Sequence, residues 1–334
     1  MDGRILVTGA AGFIGFHLSR RLLAEGYSVY GIDNLNAYYD SALKQARLAL
    51  LESHPGFQFQ RLDLANREGM STLFARYPFT AVVTLAAQAG VRHSLKAPHD
   101  YADSNLLGFL NVLEGCRQQQ VQHLLFASSS SVYGANSQLP YSVHDPVDHP
   151  VSLYAASKRA GELMAHSYAH LYRIPCTGLR FFTVYGPWGR PDMAYFSFTQ
   201  KILAGEKLPI FNHGQMQRDF TYIDDIVEAV TRLLPLPPSP QQSWPRDPAS
   251  SAAPFRLYNI GNHQPVALLE FVRLLEEALG QKADLELLPM QDGDVHATYA
   301  EVSELQQTVD FAPRTALATG LQRFVHWYRD YYGA

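Results

Sequence analysis

A glycine-rich segment, T-G-A-A-G-F-I-G, follows an apolar run at residues 4–8 and precedes a helical pattern at residues 13–25. Glycines at Gly9, Gly12 and Gly15 allow a tight turn, a close approach of the backbone to a pyrophosphate, and close packing of the helix. The N-terminus of that helix then faces the phosphates. This context predicts a dinucleotide-binding site, and the alternative is a glycine turn that only connects strand to helix.

The first half of the chain alternates short apolar runs with helical stretches, which is the pattern of a parallel sheet wrapped by helices. We therefore predict a doubly wound α/β fold of the Rossmann type. The predicted strands cover residues 4–8, 28–32, 57–62, 81–85, 121–128 and 176–180. The predicted helices cover residues 13–25, 42–52, 66–75, 100–119 and 154–172.

The alternation breaks up near residue 181, where loops rich in glycine, proline and aromatic residues begin. We predict a cofactor-binding domain at residues 1–180, which includes the helix at 154–172, and a smaller lobe at 181–334 that mainly binds substrate, with interleaved segments. Residues 235–254 hold seven prolines without periodicity, so we expect a flexible surface insertion there.

The composition is that of an ordinary globular protein, with 47% hydrophobic residues, 17% charged residues and a formal net charge of −4. Such a mildly acidic balance gives no reason to expect nucleic acid or an anionic membrane as a partner. The sequence shows neither a signal peptide nor an apolar run of 18 residues. Cys116 and Cys176 lack metal-ligand spacing, which favours a reduced, cytoplasmic location.

Asp33 ends the second predicted strand, 18 residues after Gly15, where a carboxylate can accept hydrogen bonds from the adenosine ribose. A carboxylate repels a 2′-phosphate, so the sequence favours NAD over NADP. The alternative is an aspartate that caps the next turn. Asp63, after the third strand, would reach the adenine end, and A-A-Q-A-G, after the fourth, would line the nicotinamide side.

Tyr154 and Lys158 lie four residues apart in Y-A-A-S-K, so both side chains project from one face of a helix. A nearby ammonium group favours the phenolate and is expected to lower the pKa of Tyr154 from about 10. Residues 128–131 are four serines at the end of a buried strand, where a hydroxyl can donate to a substrate oxygen. The alternatives are a chance Y-x-x-x-K spacing and a polar turn.

Taken together, these motifs resemble the extended branch of the short-chain dehydrogenase/reductase superfamily. The resemblance implies a catalytic triad of Ser129, Tyr154 and Lys158, with NAD as the cofactor. It also implies cofactor contacts at Gly9, Gly12, Phe13, Ile14, Gly15, Asp33, Asn34, Asp63, Leu64, Leu85, Ala86, Ala87, Asn105, Tyr154 and Lys158.

Ser130 and Ser131 narrow the reaction within that superfamily. Nucleotide-sugar 4,6-dehydratases have an Asp and Glu pair before V-Y-G, and UDP-glucuronate decarboxylases have a Glu there. In such enzymes, transfer of the C4 hydride to the cofactor gives a 4-keto sugar as the intermediate. Without an additional acid or base, the simplest fate of this intermediate is return of the hydride. The sequence therefore predicts epimerisation.

Several segments resemble UDP-glucuronate 4-epimerases, most specifically R-F-F-T-V-Y-G-P-W-G-R-P-D-M at residues 180–193. In that segment, Thr183 and Arg190 are expected to bind the sugar C6 carboxylate, since a hydroxyl and a guanidinium suit an anion. The alternative for Arg190 is a surface loop charge. The predicted substrate contacts are Arg92, Ser130, Ser131, Thr183, Arg190, Arg218 and Asp294.

The resemblance also implies a homodimer that forms through the helices at residues 100–119 and 154–172. Two other functions stay open: 4-epimerisation of neutral UDP-glucose or another nucleotide sugar, and a catalytically silent NAD-binding regulator. The chain departs from the resembled pattern at Asp292, where proline is usual, and at Glu301, where aspartate is usual. We expect these changes to affect loop rigidity more than chemistry.

Two pairs of residues have simpler interpretations. Asp224 and Asp225 precede an apolar helical pattern and are expected to cap that helix. His166 and His170 have i, i+4 spacing, but Ser167 occupies the position of the metalloprotease glutamate. We therefore predict no metal site at these histidines.

Overall fold

The computed structural model describes residues 3–241, 247–290 and 296–334. Its strands are β1 (Arg4–Thr8), β2 (Ser28–Asp33), β3 (Phe57–Arg61), β4 (Ala81–Thr84), β5 (His123–Ser129), β6 (Cys176–Phe181), β7 (Thr183–Tyr185), β8 (Lys207–Ile210), β9 (Gln217–Tyr222), β10 (Phe255–Ile260), β11 (Pro265–Ala267), β12 (Asp284–Leu287) and β13 (Ala297–Thr298).

The helices are α1 (Phe13–Ala24), α2 (Ser41–Glu52), α3 (Arg67–Arg76), α4 (His93–Lys96), α5 (Pro98–Tyr101), α6 (Gly108–Gln119), α7 (Leu153–Tyr172), α8 (Ala194–Ala204), α9 (Ile223–Leu233), α10 (Leu268–Leu279), α11 (Ser303–Val309) and α12 (Leu317–Tyr332). Among the described helices, none is both long and apolar enough to cross a membrane.

Seven of the described strands form one parallel sheet in the order β3-β2-β1-β4-β5-β6-β10. Residues of β1 alternate between its two faces: Ile5 and Val7 join one buried cluster, and Leu6 joins the other. Burial on both faces explains why the strands are continuous apolar runs. The predicted doubly wound α/β fold is confirmed, with α1 and α2 on one face and α3 and α6 on the other.

The strand β10 comes from the second half of the chain and forms the edge of this sheet beside β6. The other strands of that half form two small sheets: β9 pairs with β7, β11 and β13, and β8 pairs with β12. Helix α9 also returns to the first half, where Glu228 pairs with Arg21 of α1 at 2.6 Å. The division at residues 180 and 181 stays a prediction.

The predicted helix at residues 100–119 is divided into three parts in the structure. Helix α5 is followed by a π-helical turn, Ala102–Leu107, and then by α6. A π turn is wider than an α turn and is often found at functional sites. Here the wide turn holds Asn105, whose buried side chain is hydrogen-bonded to the backbone of Gln88.

Part of the proline-rich insertion is packed, in contrast to the flexible insertion that we predicted. Ala249 and Ala253 are fully buried in the cluster behind β6 and β10. Asp247 accepts hydrogen bonds from Ser250 and from the backbone of Ala249, which fixes this turn. Small residues explain the difference, since alanine fits into a core where a longer side chain would not.

The capping role that we predicted for Asp224 and Asp225 is wrong in detail. Both residues lie within the first turn of α9, after Tyr222 at the N-cap. Asp225 accepts hydrogen bonds from the backbone nitrogens of Arg314 and Thr315, at 3.3 and 3.0 Å. The carboxylate therefore fixes the approach to α12 instead of closing its own helix.

A buried ion pair joins β6 to α7 behind the serine run. Arg180 donates to Glu162 at 2.8 and 3.0 Å, and both side chains are 0% exposed. Ser128 donates to the same carboxylate at 2.6 Å, and Arg159 supplies a second cation at 3.0 Å. Burial would raise the pKa of Glu162, but Arg180 holds it below its usual range. This network fixes the helix that carries Tyr154 against the sheet.

Replacement of Arg180 by methionine (Arg180→Met) is expected to lower the free energy of unfolding by about 3 kcal/mol, because the buried Glu162 charge loses its main partner. Urea denaturation monitored by circular dichroism measures the change. The double variant Arg180→Met/Glu162→Leu should recover most of the loss. An unchanged urea midpoint for Arg180→Met would show that the ion pair does not hold α7 against the sheet.

Candidate functional site

A cleft of about 840 Å³ lies at the carboxyl ends of the parallel strands, the edge where open α/β sheets bind ligands. Its volume is within the range of small-molecule sites. Both halves of the chain line it. Within the described residues, its lining includes every predicted site residue except Asn105. Asp294 lies outside the described residues.

The glycine-rich turn forms the floor of the cleft. Gly9 has a φ of +73°, and a Cβ there would lie 2.8 Å from the Ala86 nitrogen. A Cβ on Gly15 would lie 2.1 Å from the Gly9 oxygen, so only glycine allows α1 to begin this close to β1. Gly12, at the N-cap of α1, adds no side chain between the first helical N–H groups and a ligand. This geometry fits a pyrophosphate.

Asp33 lies beside the turn, at the end of β2. Its carboxylate accepts hydrogen bonds from the backbone nitrogens of Ala11 at 3.2 Å and Leu35 at 2.8 Å. Each carboxylate oxygen has capacity for another hydrogen bond, which fits ribose hydroxyls. Burial raises the pKa of Asp33. Asn34 donates to Asp63 at 2.8 Å, so these two predicted contacts form one polar wall.

Asn105 lies behind the cleft wall. It accepts a hydrogen bond from the Gln88 nitrogen at 2.8 Å and donates to the Gln88 oxygen at 3.0 Å. Its amide also donates to Ser157 Oγ at 2.9 Å. These bonds tie the segment after β4 to helix α7, and a direct cofactor contact by Asn105 stays a prediction.

Tyr154, Lys158 and Ser129 converge in the cleft. Lys158 Nζ donates to the Ala127 oxygen at 2.9 Å and lies 6.0 Å from the centre of the Tyr154 ring. Ser129 is in hydrogen-bond contact with Tyr154, and this contact lowers the pKa of the phenol. Burial, and then the charge of Arg190, lowers the pKa of Lys158 to about 8.

The pKa of Tyr154 differs from the sequence prediction, because burial raises it above its usual value. The charge of Arg190 lowers that pKa and Asp192 raises it, so the ion pair next to Tyr154 acts in both directions. At Tyr154, desolvation of the phenolate raises the pKa by more than the nearby cations lower it. A cationic nicotinamide would act in the same direction as Arg190.

The serine run changes from strand to a 3₁₀ helix, Ser130–Tyr133, within the cleft. Ser129 caps this turn, since its Oγ accepts a hydrogen bond from the Ser131 nitrogen at 3.1 Å. Ser129 also donates to Ser131 Oγ at 3.2 Å. The predicted catalytic hydroxyl is thus oriented by the residue two positions later.

Arg190 faces the cleft as one half of an ion pair. Its Nε and Nη2 donate to the two oxygens of Asp192 at 3.0 and 2.5 Å. Although burial opposes ionisation, Arg190 holds the pKa of Asp192 below its usual range. Tyr38 donates to the same carboxylate at 3.2 Å. This side-on pairing uses the Nε hydrogen and one Nη2 hydrogen. The second Nη2 hydrogen and the two hydrogens of Nη1 can therefore donate to another anion.

Our sequence prediction assigned no role to Asp192 or Tyr38. The two residues are 154 positions apart, so spacing gives no sign of the hydrogen bond between them. A weak signal was present, since Asp192 follows Arg190 by two residues in R-P-D. Thr183, at the start of β7, lines the same part of the cleft.

Arg92 and Arg218 lie on the wall of the cleft toward the second lobe. The Arg92 guanidinium lies 5.4 Å from the centre of the Phe211 ring. Arg218 donates to the backbone oxygens of Gln217 at 2.8 Å and His296 at 3.3 Å. Two cations near one wall fit a diphosphate, and both residues were predicted to contact the substrate.

His166 donates to or accepts from Ser251 Oγ at 2.9 Å and packs edge-on against Phe255. It thus joins α7 to the end of the proline-rich insertion. Among the residues that the structure describes, no three histidine, cysteine, aspartate or glutamate side chains lie together so that they could hold a metal ion.

Comparison with known proteins identifies one family model, the NAD dependent epimerase/dehydratase family, which matches residues 5–245. An uncharacterized 37.6 kDa protein of Escherichia coli O111:H− is 58% identical over 98% of this chain and 99% of its own length. A probable UDP-glucuronate 4-epimerase of Rhizobium meliloti is 46% identical, with 98% of each chain covered.

Solved structures of nucleotide-sugar epimerases are also similar to this chain. The crystal structure of UDP-glucuronic acid 4-epimerase from Bacillus cereus, in complex with UDP-glucuronic acid and NAD, is similar with a TM-score of 0.87. The two sequences are 33% identical, and the match covers 99% of this chain and 100% of the other. The likeness therefore extends over both the parallel sheet and the smaller lobe.

Replacement of Asp33 by asparagine (Asp33→Asn) is expected to weaken NAD binding about tenfold, because a charged acceptor for the ribose is lost. NADP binding should weaken less or improve, since the repulsion of a 2′-phosphate is removed. Isothermal titration with both cofactors measures the two dissociation constants. Asp40→Ser is the matched control, because Asp40 caps α2 outside the cleft and serine also caps well. Equal losses for NAD and NADP would contradict the assigned role.

Proposed function

This chain belongs to the NAD dependent epimerase/dehydratase family, and we propose that it interconverts UDP-glucuronate and UDP-galacturonate by epimerisation at C4. The observation that carries the proposal is the position of Arg190. Its guanidinium lines the same cleft as Tyr154 and is close enough to change the pKa of that phenol. A base and a carboxylate-binding cation thus lie together.

The residues at the floor of the cleft fit NAD. Gly9, Gly12 and Gly15 leave room for the pyrophosphate, Asp33 would hold the adenosine ribose, and Lys158 would hold the nicotinamide ribose. When bound there, NAD would supply a reversible hydride acceptor for C4 of the sugar, which is the chemistry that epimerisation at that carbon needs. A cofactor that ends each cycle unchanged has no need to leave.

Tyr154 acts as the base and then as the acid for the C4 oxygen. As a phenolate it takes the hydroxyl proton, and it returns that proton when the ketone is reduced. Ser129, whose hydroxyl donates to Ser131 Oγ in the structure, would turn this proton toward the same oxygen and keep that oxygen in place. Lys158, one helical turn from Tyr154, stabilises the phenolate through its charge. No other acid or base is required for this cycle.

The clamp formed by Thr183 and Arg190 has a second task, since the 4-keto intermediate is a β-keto acid. Decarboxylation breaks the C5–C6 bond, releases CO₂ and moves the bonding electron pair into an enolate of the C4 ketone. C5 then takes a proton, and the product is a UDP-pentose or its 4-keto form. A clamp that keeps the carboxylate out of alignment with the ketone suppresses this loss.

Two further assignments belong to the same proposal. We propose a homodimer that forms through helices α6 and α7, on the grounds of family resemblance. A cytoplasmic location is supported by Cys116 and Cys176, which are unpaired and buried. The roles of Arg92, Arg218 and Asp294 toward the nucleotide follow from the same resemblance.

Incubation of the purified protein with UDP-glucuronate, followed by NMR of the sugar H4 signal, tests the function directly. The expected result is an equilibrium mixture with UDP-galacturonate without added cofactor. Turnover of UDP-glucose but not UDP-glucuronate would favour the neutral-sugar epimerase. Binding of NAD without turnover of either sugar would favour a silent regulator.

Replacement of Arg190 by alanine (Arg190→Ala) is expected to raise KM for UDP-glucuronate about 10- to 100-fold, because a charge-assisted hydrogen bond to the carboxylate is lost. UDP-pentose should accumulate, and mass spectrometry of the products measures its fraction. Arg67→Ala, which removes an exposed arginine outside the cleft, is the control. Unchanged kinetics without UDP-pentose would exclude the clamp.

Replacement of Lys158 by methionine (Lys158→Met) is expected to lower kcat about 10²- to 10⁴-fold at pH 7. Since the pKa of Lys158 is about 8, the ammonium is present below pH 8 and is lost as pH rises above it. The wild-type rate should therefore fall on the alkaline side near pH 8, and this limb should vanish in Lys158→Met. In Lys158→Arg, which stays charged, the limb should move to higher pH. Identical profiles for all three proteins would refute the assignment.

A further inference from the structure

Arg47, on helix α2, is a fully buried charge that the proposed mechanism does not use. Its side chain is 0% exposed and lies behind the cleft wall rather than in it. Burial of a charge is costly unless the charge is well hydrogen-bonded. The hydrogen-bond partners of Arg47 therefore indicate which parts of the structure this buried charge holds together.

Arg47 contacts two separate loops. Nη1 donates to the Ala11 oxygen in the glycine-rich turn at 3.0 Å, and also to the Tyr39 hydroxyl at 2.7 Å. Nη2 donates to the oxygens of Trp188 at 2.6 Å and Gly189 at 3.0 Å. Gly189 immediately precedes Arg190. One guanidinium thus joins the cofactor turn to the loop that holds the carboxylate clamp.

The loop at residues 186–192 has an irregular backbone, and side chains from outside the loop hold it in place through hydrogen bonds. Trp188 has a φ of 59°, which is unusual for a bulky residue. Pro187 offers its oxygen to His17 Nε2 of α1 at 2.9 Å, and because the partner is a carbonyl, Nε2 carries the proton. Three consecutive carbonyls of the loop are therefore bonded to side chains of the cofactor domain.

Aromatic packing supports the same loop from the other side. The Trp188 ring lies 5.6 Å from Phe16 of α1 and 5.2 Å from Trp327 of α12. Apolar contacts of this kind define a position but not a rotation about the loop axis. The hydrogen bonds from Arg47 and His17 orient the backbone that leads to Arg190, since hydrogen bonds are directional, and Asp192 then holds the Arg190 side chain.

We propose that Arg47 is a positioning residue that fixes the loop carrying Arg190 onto the glycine-rich turn, so that cofactor binding and the hold on the sugar carboxylate are coupled. The inference rests on the proposed function, because it assigns Arg190 to that carboxylate. Lysine cannot replace arginine here, since a single ammonium cannot reach both loops as the planar fork does.

Two variants test the coupling. Arg47→Lys is expected to raise KM for UDP-glucuronate about tenfold, to increase the UDP-pentose fraction and to lower the NAD content of the purified protein. His17→Phe keeps the ring packing but removes the donor to Pro187. It should raise KM and the UDP-pentose fraction while NAD content stays at the wild-type value.

His123→Leu is the control for loss of stability, because His123 is buried and hydrogen-bonded to Leu234 and Thr177, away from both loops. It should lower the thermal midpoint without any change in KM or UDP-pentose. Wild-type protein without epimerase activity would overturn the proposed function itself. Active wild type with unchanged KM and product ratio in a folded Arg47→Lys variant would overturn the coupling. If Arg47→Lys does not fold, an unchanged product ratio in His17→Phe overturns it.

Discussion

The close approach of helix α1 to strand β1 is the constraint on which the rest of the structure depends. A side chain at Gly15 would collide with the Gly9 oxygen, and one at Gly9 would collide with the backbone after β4. With hydrogen atoms there instead, β1 stays paired with β4, and the turn after β1 lies directly against the segment after β4. This close packing leaves the helix N-terminus at the carboxyl edge of the sheet, where a cofactor and a sugar can meet.

Parallel strands add the second requirement, because all their carboxyl ends lie at one edge of the sheet. Ser129 ends β5, Thr183 begins β7 directly after β6, and Asp33 ends β2. Residues that are about 150 positions apart in the chain, such as Asp33 and Thr183, thus line one cleft. Chemistry in this fold is assembled by topology, and the loops after the strands supply the specificity.

Local patterns in the sequence predicted the strands from β1 to β6 to within about two residues, since short buried runs and glycine turns have local causes. Of the site residues that these patterns and the family resemblance predicted, all but Asn105 line the cleft within the described part of the chain. The hydrogen bonds of Arg47 to Trp188 and of Tyr38 to Asp192 were missed, because these pairs are 141 and 154 positions apart in the chain. The raised pKa of Tyr154 was missed as well, since desolvation depends on packing that spacing does not show.

The position of β10 has a consequence for how such enzymes can be recombined. This strand, from the second half of the chain, covers the outer edge of β6 with six paired residues. A fragment that ended after β6 would leave that edge open, and an open edge pairs with other chains. The catalytic half is therefore not a detachable module, and a new substrate lobe grafted onto it must bring its own seventh strand.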